Sequence, residues 1–414
     1  MEISKKGLVI LIVTITLVSV AISWYIININ NAPLPQQPPP NDIQRHAFDA
    51  VQAMGVGWNL GNALDSTDNR KRGIAGPLRD EIPAVLFYET YWHNPVTTFE
   101  MIESIAQKGF GAVRVPVTFN DHLDEYFNIR PEWLRRVRQV VNYVLDNNMY
   151  CIINIHHDTG SGSWPWLRAD YDNIEWMEEK LAIVWTQIAE YFKDYSDRLI
   201  FESFNEILDA QSNWNNPSQA SLTAVNRLNQ VFVDTVRGTG GNNEERFLIV
   251  KTYASATYDN ILEAFKLPED SAESRLIVSV HFYGTHAFAL QQDQVRWTET
   301  YSDWRHSRDG LHVENMFLRL KAAFVDRGTP VIIGEFGAQN KNNTTDRINY
   351  AVHFVETAKL YGIVCFWWDD GGKHENAREV RNFALFDRHR NEWFFPEIAE
   401  AIVNASRNAD IEYE

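Results

Sequence analysis

Eight short apolar runs, each separated from the next by a longer amphipathic stretch, constrain this chain more than any other feature. The runs are Val56–Leu60, Ala112–Pro116, Tyr150–Ile155, Leu199–Ser203, Phe247–Lys251, Leu276–Val280, Pro330–Gly334 and Ile363–Trp367. Apolar runs of this length fit strands of a parallel sheet covered on both faces. Between and after them, helical periodicity covers Thr98–Lys108, Pro131–Asn147, Ile174–Asp194, Ser218–Arg237, Val313–Asp326, Thr344–Tyr361 and Glu397–Val403. Pro131 and Pro217 stand near helix starts, where a missing N–H costs nothing. Eight strand–helix units in roughly 350 residues predict an α/β fold of the (β/α)8 TIM-barrel type with some enlarged loops. A doubly wound open sheet is the alternative, but no Gly-rich phosphate turn comes after the first run. Residues 42–414 thus read as one globular domain, without internal repeats or a second domain.

The N-terminus is of another kind. Lys5 and Lys6 precede an uncharged run from Leu8 to Ile27. As a helix it would span about 30 Å, one hydrocarbon core. It is longer than the apolar part of a signal peptide and lacks an obvious small-x-small cleavage site. Residues 1–30 are therefore expected to form a transmembrane signal anchor, with a cleaved signal peptide as the alternative. Lys5 and Lys6 would stay inside, sending the rest of the chain to the extracellular face, or into the medium if the segment is removed. Residues 31–41, with Pro33, Pro35, Pro38, Pro39 and Pro40, read as a stiff linker. The net charge of −17 makes nucleic acid an unsuitable partner. Cys151 and Cys365 lie inside apolar runs and read as buried free thiols.

Active sites of such barrels gather at the C-terminal ends of the strands. Here the first run leads into Asn59-Leu-Gly-Asn-Ala-Leu-Asp65, and the second carries Arg114. The third ends in His156-His157-Asp158, the fourth in Asn205-Glu206, and the sixth in His281-Phe-Tyr283. The seventh ends in Glu335 and the eighth in Trp367-Trp368-Asp369-Asp370. Stability alone is a poor reason to bring so many polar groups to one end, because buried polar groups are unfavourable unless paired. Two carboxylates about 5 Å apart hydrolyse glycosidic bonds with retention, one protonating the leaving oxygen and the other attacking the sugar. The attacking carboxylate must stay ionised, a task for Arg114 and Tyr283, while its charge raises the pKa of the acid. Asn205 suits the sugar 2-hydroxyl, and Trp368 the floor of the subsite beside the cut. The chain's 14 Trp exceed what a core of this size needs, and Trp164, Trp166, Trp214 and Trp297 fall in loops expected to rim the cleft. Neighbours His156 and His157 would face opposite ways in a strand, which is poor metal-ligand spacing. No metal and no cofactor is expected.

From Val56 to Phe395 the chain resembles glycoside hydrolase family 5, the cellulase family. The resemblance rests on Gly57-Trp-Asn-Leu-Gly-Asn-Ala-Leu-Asp65 and on Arg114, His156, Asn205, Glu206, His281, Tyr283, Glu335 and a Trp on the eighth strand, in that order. It implies Glu206 as acid/base and Glu335 as nucleophile, with Arg114, Asn205, His281 and Tyr283 in support. It also implies that His156, Asn62, Asp65 and Trp368 bind substrate, and His157 and the loop residue Trp297 are expected to join them. The stretch His281-Phe-Tyr-Gly-Thr-His-Ala-Phe-Ala-Leu290 resembles the subfamily of endo-β-1,4-glucanases, lichenases and xyloglucanases. One departure is Ile207, where the family usually has Pro after the acid/base Glu.

The expected function is that of a retaining, endo-acting glycoside hydrolase cleaving β-1,4-glucosidic bonds in cellulose-type or mixed-linkage β-glucans. The alternatives are a xyloglucanase or β-mannanase on the same fold, or a non-catalytic glycan-binding protein. Intact Glu206, Glu335, Asn205 and Arg114 argue against the last. A monomer acting on a polysaccharide is expected.

Overall fold

The computed structural model describes residues 47–68, 84–160, 164–290, 308–372 and 382–407. All of these belong to one compact unit, Asp42–Glu414. The expected anchor and Pro-rich linker, and Trp297, lie outside the described residues. Among the described residues, no helix is long and apolar enough to cross a membrane.

Eight parallel strands close into a barrel in chain order: β1 (Gly57–Leu60), β2 (Ala112–Val115), β3 (Tyr150–Asn154), β4 (Leu199–Glu202), β5 (Leu248–Lys251), β6 (Leu276–His281), β7 (Val331–Phe336) and β8 (Val364–Asp369). β8 returns to β1 with Trp58 opposite Trp367 and Asn59 opposite Trp368. Each predicted run holds one strand. The last three extend past the predicted ends, so that Glu335 lies within β7 rather than in the loop after it.

Helix α1 (Ala47–Met54) precedes the barrel, and α2 (Phe99–Lys108), α3 (Pro131–Asp146), α4 (Ile174–Phe192) and α5 (Gln219–Gly238) come after β1 to β4. Next are α6 (Asp259–Ala264), α7 (Arg308–Ala323), α8 (Thr344–Leu360) and α9 (Pro396–Arg407). Thr98 caps α2 by accepting from Met101 N at 3.4 Å, and Ser218 caps α5 by accepting from Ser221 N at 3.1 Å. Pro131 opens α3. The periodicity did not reveal α1 and α6, whose eight and six residues are too short to establish a helical period. A small antiparallel hairpin, β9 (Phe386–Asp387) with β10 (Glu392–Trp393), was also not foreseen.

Strand side chains alternate between two cores. Val113, Cys151, Phe201, Val250, Val278, Ile333 and Trp367 join the large cluster that includes buried helix side chains. Ala112, Ile152, Ile200, Ile249, Ile277, Ile332, Val364 and Phe366 form a separate cluster inside the barrel with Ala47, Ala50, Val51 and Met54 of α1. Two residues further along the strands, the same inward face carries Arg114, Asn154, Glu202, Lys251, Ser279, Gly334 and Trp368. The barrel thus holds an apolar layer beside α1 and a polar layer at the strands' C-terminal ends. Both cysteines are buried and free.

Candidate active site

The polar layer is organised around Arg114, which is fully buried. Its Nε donates to Glu202 Oε2 at 2.7 Å, and its Nη1 to Glu335 Oε1 at 2.8 Å and Asn59 Oδ1 at 3.0 Å. Nη2 donates to Asn205 Oδ1 at 2.9 Å. That last bond fixes the amide of Asn205 and turns its Nδ2 donors to other partners. Tyr283 Oη donates to Glu335 Oε2 at 2.8 Å, so each oxygen of Glu335 accepts one hydrogen bond.

Glu206 lies just beyond β4, with its side chain 24% exposed. Its Oε1 is 2.9 Å from His281 Nδ1. The same nitrogen is 3.6 Å from Glu335 Oε2. One carboxylate oxygen from each Glu and a ring nitrogen of His281 all lie within 4.8 Å of one another. Burial, then the negative charge of Glu335, push the Glu206 carboxyl up to about 8. Burial raises Glu335 as well, but Arg114 and Tyr283 pull it back toward the ionised form. On balance Glu335 still stands above its ordinary value, but Arg114 and Tyr283 hydrogen-bond its carboxylate, so Glu206 is the member of the pair disposed to hold the proton.

On the far side of His281, Lys251 Nζ lies 2.9 Å from His281 Nε2, 3.0 Å from Glu202 Oε1 and 3.0 Å from Ser279 Oγ. Burial pulls Glu202 upward, but the charges of Arg114 and Lys251 outweigh it and hold this carboxyl below its ordinary value. Gly334 makes room here: a Cβ on it would lie 2.6 Å from Ser279 Oγ and 3.2 Å from His281 Nε2. Sequence reasoning gave no role to Asn59, Asn154, Glu202 and Lys251. It weighed the residues at which each run gives way to a loop, whereas Asn59, Asn154 and Glu202 lie inside the runs; Lys251 ends the fifth run, to which no site residue was assigned. The period-two pattern within the runs carried the signal.

A second group lies beside Trp368. Its indole stacks on His156, with ring centroids 5.9 Å apart and planes 6° from parallel. Gly61 permits this placement, because a Cβ there would meet the indole at 2.6 Å. Trp367 is instead buried in the outer core, with its Nε1 donating to Phe383 O at 3.0 Å. Asp65 is buried; Oδ1 accepts from Ala63 N, whereas Oδ2 has no hydrogen-bond partner among the described residues. His157 Nε2 and His156 Nε2 lie 3.6 and 3.9 Å from that oxygen. The expectation that the two histidines face apart is therefore corrected. Both lie beyond the end of β3, where strand alternation no longer applies. Their proximity to Asp65 resembles a metal-ligand cluster in spacing. However, Asn154 accepts from Val117 N through Oδ1 and thus points Nδ2 at His156 Nδ1, 3.2 Å away. That leaves the His156 proton on Nε2, the atom a metal would need bare.

Asn62 adopts a left-handed conformation at φ 59°, and its carbonyl accepts from Asn94 Nδ2 at 2.8 Å. The loop after Glu206 is tied down despite the absence of Pro. Ile207 O accepts from Ala254 N at 3.0 Å, and Asp209 accepts from the backbone of Gln211 and Asn213. Trp214, in the same loop, is 48% exposed. Asp369 shapes the loop beyond β8 by accepting from Gly371 N and Leu385 N.

Known proteins share this arrangement of elements. Residues 80–374 match the model of the family described as cellulase (glycosyl hydrolase family 5). Endoglucanase A from Ruminococcus albus is 38% identical over 367 residues, covering 87% of this chain and 93% of its own. Among solved structures, a lichenase of glycoside hydrolase family 5 from a Caldicellulosiruptor species, in complex with cellotetraose, superposes with a TM-score of 0.77. It is 36% identical and covers 91% of this chain and 100% of its own. A family 5 enzyme from Prevotella bryantii, in complex with a xyloglucan tetradecasaccharide, has a TM-score of 0.74 at 33% identity, covering 88% and 99% of the two chains. A closed parallel barrel with paired carboxylates at its polar end thus coincides with sequence kinship over most of the chain, and the protein belongs to glycosyl hydrolase family 5.

Proposed function

We propose that the protein is a retaining endo-β-1,4-glucanase acting on cellulose-type and mixed-linkage β-glucans. The observation that carries this reading is the close pair Glu206 and Glu335, with an oxygen of each within 4.8 Å of the other, Glu206 raised by burial and by the Glu335 charge, and Glu335 hydrogen-bonded by Arg114 and Tyr283. Inverting enzymes hold their carboxyl groups about 6.5–9.5 Å apart to admit a water, whereas retaining ones hold them about 5 Å apart. Glu335, kept anionic by Arg114 and Tyr283, attacks the anomeric carbon. As that bond forms, the glycosidic C–O bond breaks, and the Glu206 proton passes to the departing oxygen. The ester removes the Glu335 charge, so the Glu206 pKa falls and its carboxylate can take a proton from water. That water attacks the anomeric carbon, the ester bond breaks, and both carboxyl groups return to their starting states. Asn205, oriented by Arg114, offers its Nδ2 donor to the sugar 2-hydroxyl. Trp368 supplies the flat floor, with His156, His157, Asn62 and Asp65 along the adjoining subsites.

Reducing-end release by the full chain tests the reading on mixed-linkage β-glucan, carboxymethyl cellulose, xyloglucan and mannan. Turnover of a β-glucan with the β-anomer formed first is expected. Glu335→Gln should reduce it by at least about a thousandfold while sparing glycan binding. An α-anomer as first product, or full activity in the variant, would refute the mechanism. Xyloglucan is the second substrate reading, because a relative binds a xyloglucan oligosaccharide. Turnover of xyloglucan in preference to unbranched glucan would select it, and turnover of mannan alone would replace both.

The uncharged run Leu8–Ile27, after Lys5 and Lys6, supports placing the enzyme on the extracellular face through an N-terminal anchor. Retention in the membrane fraction after alkaline carbonate washing is expected; full release would exclude the anchor.

A further inference from the structure

We propose that Lys251 is a positioning residue that keeps His281 uncharged and fixed in the tautomer whose Nδ1–H donates to Glu206. The inference rests on the reading of Glu206 as the acid. An ammonium has donors and no acceptor, so its contact with His281 Nε2 at 2.9 Å requires a lone pair on that nitrogen. The ring proton must then sit on Nδ1, 2.9 Å from Glu206 Oε1. A proton on both ring nitrogens would set donor against donor at Lys251.

The surroundings make this arrangement durable. Glu202 from β4 and Ser279 from β6 accept from Lys251 Nζ, each at 3.0 Å. The backbone of Lys251 is held from α5 by buried Asn229, whose Nδ2 donates to Lys251 O at 2.8 Å and whose Oδ1 accepts from Lys251 N at 3.2 Å. The other titratable or charged groups facing this cluster are Arg114 from β2, His156 beyond β3, Glu206 beyond β4, Tyr283 beyond β6 and Glu335 from β7. With Glu206 protonated, Arg114 and Lys251 balance Glu202 and Glu335.

The chemical consequence concerns the acid. An imidazolium 2.9 Å from Glu206 would favour its carboxylate and remove the proton the first step needs. Lys251 occupies the position from which His281 would gain that second proton. It moves the positive charge one ring away from Glu206 and places it against Glu202. Burial and the Lys251 charge accordingly lower the His281 pKa well below its ordinary value.

Nitrogen-15 NMR of histidine-labelled full-length protein tests this directly. In the wild type, His281 should stay neutral from about pH 5 to 8, with its proton on Nδ1. In Lys251→Met, it should titrate within that window. Lys251→Arg, which retains a cationic donor, should restore the neutral ring. A wild-type proton on Nε2 would overturn the proposal without any variant. An unchanged tautomer and a ring that stays neutral across the window in Lys251→Met would do the same, even if its melting temperature fell. Glu206→Gln separates the two readings. If it keeps wild-type turnover and alkaline limb, the assignment of the acid fails, while the tautomer result still decides the role of Lys251.

Discussion

At Glu206 the same electrostatics set both activity and stability. Its carboxyl rises from an ordinary 4.5 to about 8 through burial and the neighbouring Glu335 charge. Between those values the folded protein holds a proton that the unfolded chain has lost. The folded state then binds more protons, so this group's contribution to stability is greatest below pH 4.5 and is lost as pH rises toward about 8. Glu206→Gln removes this penalty. Its melting temperature should exceed that of the wild type at pH 8, and the gap should close toward pH 4.5. A gap that is constant with pH would refute the raised pKa. The wild-type kcat/KM should decline on the alkaline side with a midpoint near about 8. Glu206, Glu335 and Arg114 were legible in the sequence because each is a polar residue at or near the end of an apolar run. Lys251 also ends such a run, but a strand-end lysine ordinarily extends to water. Only the fold shows that Glu202 and His281 surround it. Trp297 could be named from the sequence but falls outside the described residues.

At the level of elements, the alternation within each strand decides which residues meet. The apolar runs located every barrel strand because a strand buried on both faces has little room for polar residues. Their ends were less legible, since β6, β7 and β8 continue into residues that serve the polar layer. Short α1 and α6 offered too little periodicity. Within β7, Gly334 is an inward position without a side chain, and its neighbours use the space. Gly334→Ala would bring a Cβ to 2.6 Å from Ser279 Oγ and 3.2 Å from His281 Nε2. The acceptors and donors around Lys251 must then shift. Turnover should fall by about tenfold or more, because small displacements of catalytic groups cost heavily in rate. The circular dichroism spectrum should stay that of the wild type. Unchanged turnover would mean that the cluster tolerates the displacement and that its geometry is not tightly set.

Across the whole barrel, the two interior layers divide the work. The layer beside α1 is apolar, with Val51 and Met54 among the barrel's isoleucines and Phe366. The opposite layer is rich in charges and amides that satisfy one another, and it contacts Glu335 through Arg114 and reaches Glu206 through Lys251 and His281. Burial in the first layer contributes stability without touching chemistry, in keeping with the general separation between the two faces of such barrels. In the second layer the two are joined, because each ion is compensated only by its buried neighbours. Val51→Ala should therefore lose roughly 1–3 kcal/mol of unfolding free energy while kcat stays that of the wild type. Glu202→Gln should lose stability and turnover together, because Arg114 and Lys251 are left facing one carboxylate fewer. Urea unfolding and initial rates on β-glucan measure both quantities for both variants. A loss of kcat in Val51→Ala matching that in Glu202→Gln would show that the layers are coupled through the strands. Stability lost at one end alone, with both lost at the other, is the result the interior layering requires.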